Sequence, residues 1–191
     1  MIAGNELLFG ETDEIKIIRE KPDIDTNGLI EQCRTDRKSL EILYNTFKKD
    51  VFSLAFSILG DYHLSEDCVA ETFVRLTQVK RFSKSGGDGK GFILKIARNC
   101  AMEIHRRYKK EACSNVIQAY GEAEKTVEDS IYINQLLKNL SDKQRQIVVM
   151  RCCNQLSFKE IAKIMRSPES TVKSRYKRAM DILRKKAGEM Q

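Results

Sequence analysis

LSDKQRQIVVMRCCNQLSFKEIAKIMRSPESTVKSRYKRAMDILRK, residues 140–185, carries three helix starts in close succession. Ser141 with Gln144, and Ser157 with Glu160, have the spacing of capping boxes, in which each end satisfies an orphan amide of the other. A third start is expected at Ser167, with Pro168 at the first helical position, where its missing N–H costs nothing. About three residues, Met165–Ser167, join the last two helices, and Ala162 is small enough for them to cross closely. In the last helix Val172, Tyr176, Ala179 and Leu183 form one apolar stripe. Ser170, Ser174, Lys177 and Arg178 face away from it, flanked by Thr171, Lys173, Arg175 and Arg184. A short turn, crossing helices and a basic outer face describe a helix-turn-helix with a recognition helix. The alternative is an ordinary helical hairpin with a solvated face. Seven cations against the single acid Asp181 in residues 170–186 speak for a polyanion instead.

The rest of the chain repeats that asymmetry. Its 191 residues hold 34 Lys+Arg and 27 Asp+Glu, a net charge of +7. Residues 80–110 carry 10 basic and 2 acidic side chains, and residues 130–191 carry 14 and 5. Between them, residues 111–129 carry 1 and 5, and the first 30 residues carry 3 and 7. Two basic blocks around an acidic spacer imply two polyanion-facing surfaces. Neither block has the wide apolar face of an interfacial helix, which favours nucleic acid over membrane.

Three further helices are expected upstream. Leu40, Leu43, Tyr44, Phe47, Val51, Leu54, Ala55 and Ile58 make one stripe, with Phe52, Phe56 and Leu59 on a second side and Gly60 ending the helix. A second helix begins at Ser65 and runs to about Gln78, burying Cys68, Val69, Phe73 and Leu76. Phe82–Gly91 reads as a flexible turn, since four of the ten glycines fall between Gly86 and Gly91. A third helix then turns Ile93, Ile96, Ala97, Cys100 and Ile104 inward and leaves Lys95, Arg98, Arg106 and Arg107 outside. Residues 1–30 read as an acidic extension with a short helix near Ile15–Arg19, and a helix is expected over Asp129–Asn139. The expected fold is all-α: an extension (1–30), a helical domain (31–110), an acidic linker (111–129) and a second helical domain (130–191).

Other chemistries find little support. Six cysteines lack any CxxC pair, so reduced thiols are expected rather than a disulfide scaffold or metal site. Regulatory oxidation at Cys152–Cys153 is disfavoured, because adjacent helical positions point about 100° apart. His63 and His105 share no ligand or triad spacing with the cysteines, so no enzyme, metal or cofactor is expected. No apolar run approaches the ~20 residues of a membrane span, and the first twenty residues lack a secretion-signal pattern, so cytoplasmic residence is the expectation.

SEDCVAETF (65–73) with RL at 75–76, KGFILKIARNCAMEIHRR (90–107) and the opening stretch, in this order and spacing, resemble the second and fourth conserved regions of bacterial extracytoplasmic-function (ECF) sigma factors. The resemblance spans roughly residues 36–110 and 130–187. Arg166 and Ser167 stand where the family often has glycine and an aliphatic residue.

The resemblance implies a non-enzymatic chain that binds core RNA polymerase, at the β′ clamp helices and the β flap, and directs it to promoter DNA. It places Asp67, Glu71 and Arg75 on the clamp helices. It assigns capture of a flipped −10 base to Phe82, Lys84, Lys90, Arg98, Asn99, Arg106 and Arg107. It assigns the −35 duplex to Arg166, Ser170, Thr171, Lys173, Ser174, Arg175, Lys177 and Arg178. An anti-sigma factor is the further partner it implies; membrane insertion is not. Two rival readings are a one-component repressor, which would bind a palindrome by itself, and a module that titrates polymerase without promoter specificity.

Overall fold

The computed structural model of the chain describes residues 8–9, 15–16, 24–79, 82, 88–112 and 137–189. Lys84, the acidic linker apart from its first two positions, and the helix expected over Asp129–Asn139 apart from its end lie outside the described residues.

Seven helices carry the described fold: α1 Thr26–Gln32, α2 Arg37–Leu59, α3 Tyr62–Thr77, α4 Gly89–Ala112, α5 Asp142–Cys152, α6 Phe158–Met165 and α7 Glu169–Glu189. Among the described residues the one β pairing is two residues long per strand, β1 Leu8–Phe9 antiparallel to β2 Ile15–Lys16. Ile15 and Lys16 are therefore extended, not in the short helix expected there. All-α remains the class.

Helix α2 forms because Asp36 accepts hydrogen bonds from Lys38 N and Ser39 N at 3.1 and 2.9 Å, closing its N-terminus. At its other end Gly60 adopts φ 68°, the left-handed cap that favours glycine. Leu43, Phe47, Val51, Leu54, Ala55 and Ile58 are buried along it. Tyr44, expected in the same stripe, is 40% exposed and meets Phe73 edge-on at 5.1 Å. Helices α2, α3 and α4 enclose one core through Cys68, Val69, Phe73, Leu76, Ile93, Leu94, Ala97, Cys100 and Ala101.

Three local expectations need correction. Helix α3 is capped by Asp61, whose carboxylate accepts from Leu64 N at 2.8 Å; Ser65 lies inside the helix, fully buried, its hydroxyl donating to Asp61 O. Ser65 loses the competition because a carboxylate one turn earlier gains four more helical residues. Helix α4 begins at Gly89, inside the glycine-rich stretch expected to be a turn. Helix α1 was not anticipated. Its Ile30 is buried against that same core, and Ile30 Cδ1, Thr26 Cγ2 and Asn27 Oδ1 all come within 3 Å of where a Cβ on Gly89 would sit. Glycine thus permits the close approach of α1 to the start of α4.

The carboxy-terminal helices follow their capping signals. Ser141 N donates to Gln144 Oε1 at 3.1 Å, Ser157 N to Glu160 Oε2 at 2.7 Å, and Glu160 N returns to Ser157 Oγ at 3.3 Å. Helix α7 starts at Glu169, just past Pro168, whose carbonyl accepts from Val172 N. Its inner face buries Val172, Tyr176, Ala179, Met180 and Leu183 on Ile147, Met150, Leu156 and Ile161.

Candidate nucleic-acid interface

The turn between α6 and α7 closes through Arg166. Its backbone is left-handed (φ 49°, ψ 48°), its N–H reaches Ala162 O and Lys163 O, and Ser167 N donates to Ala162 O at 3.1 Å. These bonds satisfy carbonyls that the end of α6 would otherwise leave open. The geometry is that of a glycine cap, made here by an arginine that stays exposed.

From this turn α7 projects Ser170, Lys173, Ser174, Lys177 and Arg178 into solvent, with Thr171 and Arg175 half-buried beside them. Lys173 Nζ pairs with Glu169 at 2.7 Å and also lies 6.0 Å from the centre of the Phe158 ring, so it is held close to its own helix. Lys177 and Arg178 are exposed, which leaves a cationic face suited to phosphates and base edges.

Helix α4 supplies the second cationic set, which the structure divides. Asn99, Arg106 and Arg107 are exposed. Lys90 is tied to Asp50 of α2 at 2.7 Å, with side chains 15% and 10% exposed. Arg98, expected outside, is half-buried: its Nε donates to Gln146 Oε1 of α5 at 2.9 Å. Burial, together with the like charge of Arg166, pushes the Arg98 guanidinium down from its usual value. Phe82 packs edge-on against Phe92 at 4.9 Å, both partly buried on the core.

On α3, Asp67 is exposed, while Arg75 lies between two carboxylates, Glu71 Oε1 at 2.6 Å and Glu103 Oε2 of α4 at 2.7 Å. The bond from Arg75 holds the Glu103 carboxyl below its ordinary range. Arg75 thus links α3 to α4 rather than pointing outward. Together these residues border a shallow concavity of about 840 Å³ with Arg106, Arg107 and Tyr108.

Sequence reasoning gave no signal for contacts between the two helical modules. Asn154, in the α5–α6 loop, is fully buried. Its amide donates to Asp50 O at 3.0 Å, Asp50 Oδ1 at 3.2 Å and Ser53 Oγ at 3.2 Å. Arg145 reaches Ser57 O at 3.4 Å. Beside this seam lies a cleft of about 540 Å³ whose walls bring Arg98 and His105 of α4 opposite Lys143, Arg175 and Arg178. Partners a hundred residues apart in the chain leave no periodicity to find.

Five of the six thiols lie among the described residues. Cys33, Cys68, Cys100 and Cys152 are buried and Cys153 is half-buried, none in a disulfide. Burial pushes the Cys68 thiol up to about 12, and the Cys33 and Cys100 thiols also upward, which keeps them protonated and unreactive at neutral pH. Among the described residues no His, Cys, Asp and Glu cluster has the grouping to hold a metal ion, and no helix is long and apolar enough to cross a membrane.

Residues 43–111 match the family described as sigma-70 region 2, and residues 130–183 match sigma-70 region 4. The chain is 26% identical over 153 residues to the ECF RNA polymerase sigma factor SigM of Bacillus subtilis, covering 76% of this chain and 93% of that one. It is likewise 26% identical over 168 residues to SigW of the same organism, covering 78% and 89%. Solved structures share the fold. CnrH in complex with the cytosolic domain of CnrY superposes with TM-score 0.66 at 15% identity, over 87% of this chain and 99% of that one. RpoE in complex with the anti-sigma factor NepR from Bartonella quintana superposes with TM-score 0.64 at 21% identity, over 78% and 94%.

Proposed function

The chain belongs to the sigma-70 family, in its ECF group, and on that premise we propose how its surfaces divide the work of promoter-specific initiation. As a sigma factor it binds core RNA polymerase and directs it to promoters. The bond-making chemistry of transcription then resides in the polymerase, and this chain acts as an initiation factor. Residence in the bacterial cytoplasm follows from that role.

The first module, proposed as residues 31–110 with α1 reaching back into its core, docks on the β′ clamp helices through Asp67 and Glu71. Arg75 acts there as a positioning residue, because its two ion pairs fix the α3 face relative to α4. Asn99, Arg106 and Arg107 contact the −10 non-template strand, with Lys84, Lys90 and Arg98 completing a basic wall. Extracting a base from the stack costs a few kcal/mol, which cationic contacts and a fitted pocket must offset. Phe82 and Phe92 support that wall by packing on each other.

The second module, proposed as residues 130–191, reads the −35 duplex. Ser170, Ser174, Lys177 and Arg178 lie on its accessible face, Thr171, Lys173 and Arg175 flank it, and Arg166 reaches a phosphate from the turn. The linker over 111–129 joins the two, and contact with the β flap falls to the second module. By analogy with the partners named for the solved RpoE structure, an anti-sigma factor is a partner of this chain as well.

The observation that carries this reading is the exposed cationic face of α7 standing over a buried apolar stripe. In vitro transcription with purified core enzyme and a promoter library tests it. Arg178→Ala should weaken −35-dependent transcription by roughly 1–3 kcal/mol, or 5- to 150-fold, while core binding is retained. Tight binding of the free chain to a palindrome without any response to core would favour a repressor. Unchanged transcription in Arg178→Ala would favour a titrating module.

A further inference from the structure

Several cations of this fold sit against carboxylates. Lys90 meets Asp50 at 2.7 Å, Arg75 meets Glu71 and Glu103 at 2.6 and 2.7 Å, and Lys173 meets Glu169 at 2.7 Å. The cleft of about 540 Å³ beside the Asn154 contact is different. It gathers Arg98 of α4, Lys143 of α5, and Arg175 and Arg178 of α7 around one space. Among the described residues none of these four is paired with a carboxylate. Asp142, the one acid on the walls, is paired with Arg145 at 3.8 Å.

Unpaired cations around one space repel one another, and more strongly where burial thins the water between them. Arg98 bears most of this. It is half-buried, its Nε donates to the neutral Gln146 Oε1 at 2.9 Å, and burial with the nearby Arg166 pushes its guanidinium downward. A bound anion relieves that repulsion and supplies acceptors to the guanidinium groups, whose fork matches phosphate oxygens. Helix α5 contributes residues 141–144, its first turn, and so brings the positive end of an 11-residue helix to the same wall. Ile58, 7% exposed, and the half-buried Met102 also line the cleft, which gives an apolar part of a ligand something to rest on. The volume is that of a small-molecule site. Four cations from three helices call for a ligand with several negative charges.

We infer that this cleft is a binding site for a small ligand bearing a di- or triphosphate group, a nucleotide or the inorganic anion, held jointly by α4, α5 and α7. Arg98, Arg175 and Arg178 take the phosphate oxygens, and Lys143 adds its charge at the start of α5. Ile58 and Met102 receive the nucleoside where the ligand brings one. The site stands on geometry and charge alone. Its consequence rests on the sigma-factor reading: Arg175 and Arg178 cannot hold this ligand and −35 DNA at once, so the two compete.

Calorimetry on the full-length chain with inorganic pyrophosphate, ADP and orthophosphate tests the site. Pyrophosphate and ADP should each bind once per chain, at least about tenfold tighter than orthophosphate. The tighter of the two identifies the source, nucleotide or inorganic anion. No saturable binding by either, or affinity no better than that of orthophosphate, would overturn the proposal. Lys143→Ala removes an exposed cation outside the surfaces assigned to polymerase and DNA. It should weaken pyrophosphate binding about tenfold at unchanged helix content, and unchanged affinity would sink the site. Hydrogen exchange under saturating pyrophosphate should slow in α4, in the first turn of α5 and in α7 together. Protection confined to α7 would mean ordinary phosphate contacts of the recognition helix, against a shared site. Finally, pyrophosphate should displace promoter duplex from the parent more readily than from Lys143→Ala at the same ionic strength. Equal displacement would overturn the competition. Failure of the parent chain to initiate would count against the sigma-factor reading, and the calorimetry decides the site in either case.

Discussion

Arg166 occupies a left-handed backbone position, φ 49° and ψ 48°, that costs an L-residue about 1–2 kcal/mol and glycine nothing. The chain keeps an arginine there, one that also faces Arg98 electrostatically. Arg166→Gly should therefore stabilise the fold by about 1 kcal/mol, seen as a rise of roughly 2–4 °C in thermal midpoint. The same change should weaken promoter DNA binding, because a cation beside the recognition helix is lost. A second residue-scale expectation concerns Glu103. Its carboxyl is held below the ordinary range by Arg75, so the pair's stabilisation is complete above the unfolded value, 4.5, and is lost as pH falls through the lower folded value. Both partners are over a third or nearly a third exposed, so the effect is small. Glu103→Gln should flatten the acid limb of a stability–pH profile while leaving the neutral plateau close to that of the parent.

At the scale of elements, Gly89 shows why α4 begins where it does. A methyl group there would meet Thr26, Asn27 and Ile30 of α1 at 2.8–2.9 Å. Gly89→Ala should cost about 1–3 kcal/mol by overpacking, more than the helix propensity it adds in a first turn, and denaturant unfolding would measure it. The elements whose existence was legible in the sequence are those with a long stripe or a local cap. The stripes of α2 and α7 and the serine starts of α5 and α6 all had signals within a few residues. Helix α1 has seven residues and only one buried apolar side chain, too short for periodicity to register. The start of α3 was displaced because Asp61 and Ser65 both make good caps, and only tertiary placement chooses between them. The glycines at the head of α4 read as a turn because composition does not show that α1 presses against them.

For the whole molecule, the cationic residues were legible but their availability was not. Arg106, Arg107, Lys177 and Arg178 stand exposed, as charge density implied, whereas Lys90 and Arg98 are bound within the fold by Asp50 and Gln146. Charge counts report how many cations a surface has. They do not report which are already engaged by a carboxylate or amide from a distant element. The partner Asn154 had no motif at all, since an asparagine in a loop becomes meaningful only once α2 lies beneath it.

The composition of that junction has a consequence for ionic strength. Its bonds run through the Asn154 amide, backbone carbonyls and the Asp50 carboxylate, while Arg98, Lys143, Arg175 and Arg178 confront one another across the gap beside it. Added electrolyte weakens that mutual repulsion and so steadies the contact between the two modules. The thermal midpoint of the chain should therefore rise as potassium concentration is raised, followed by circular dichroism.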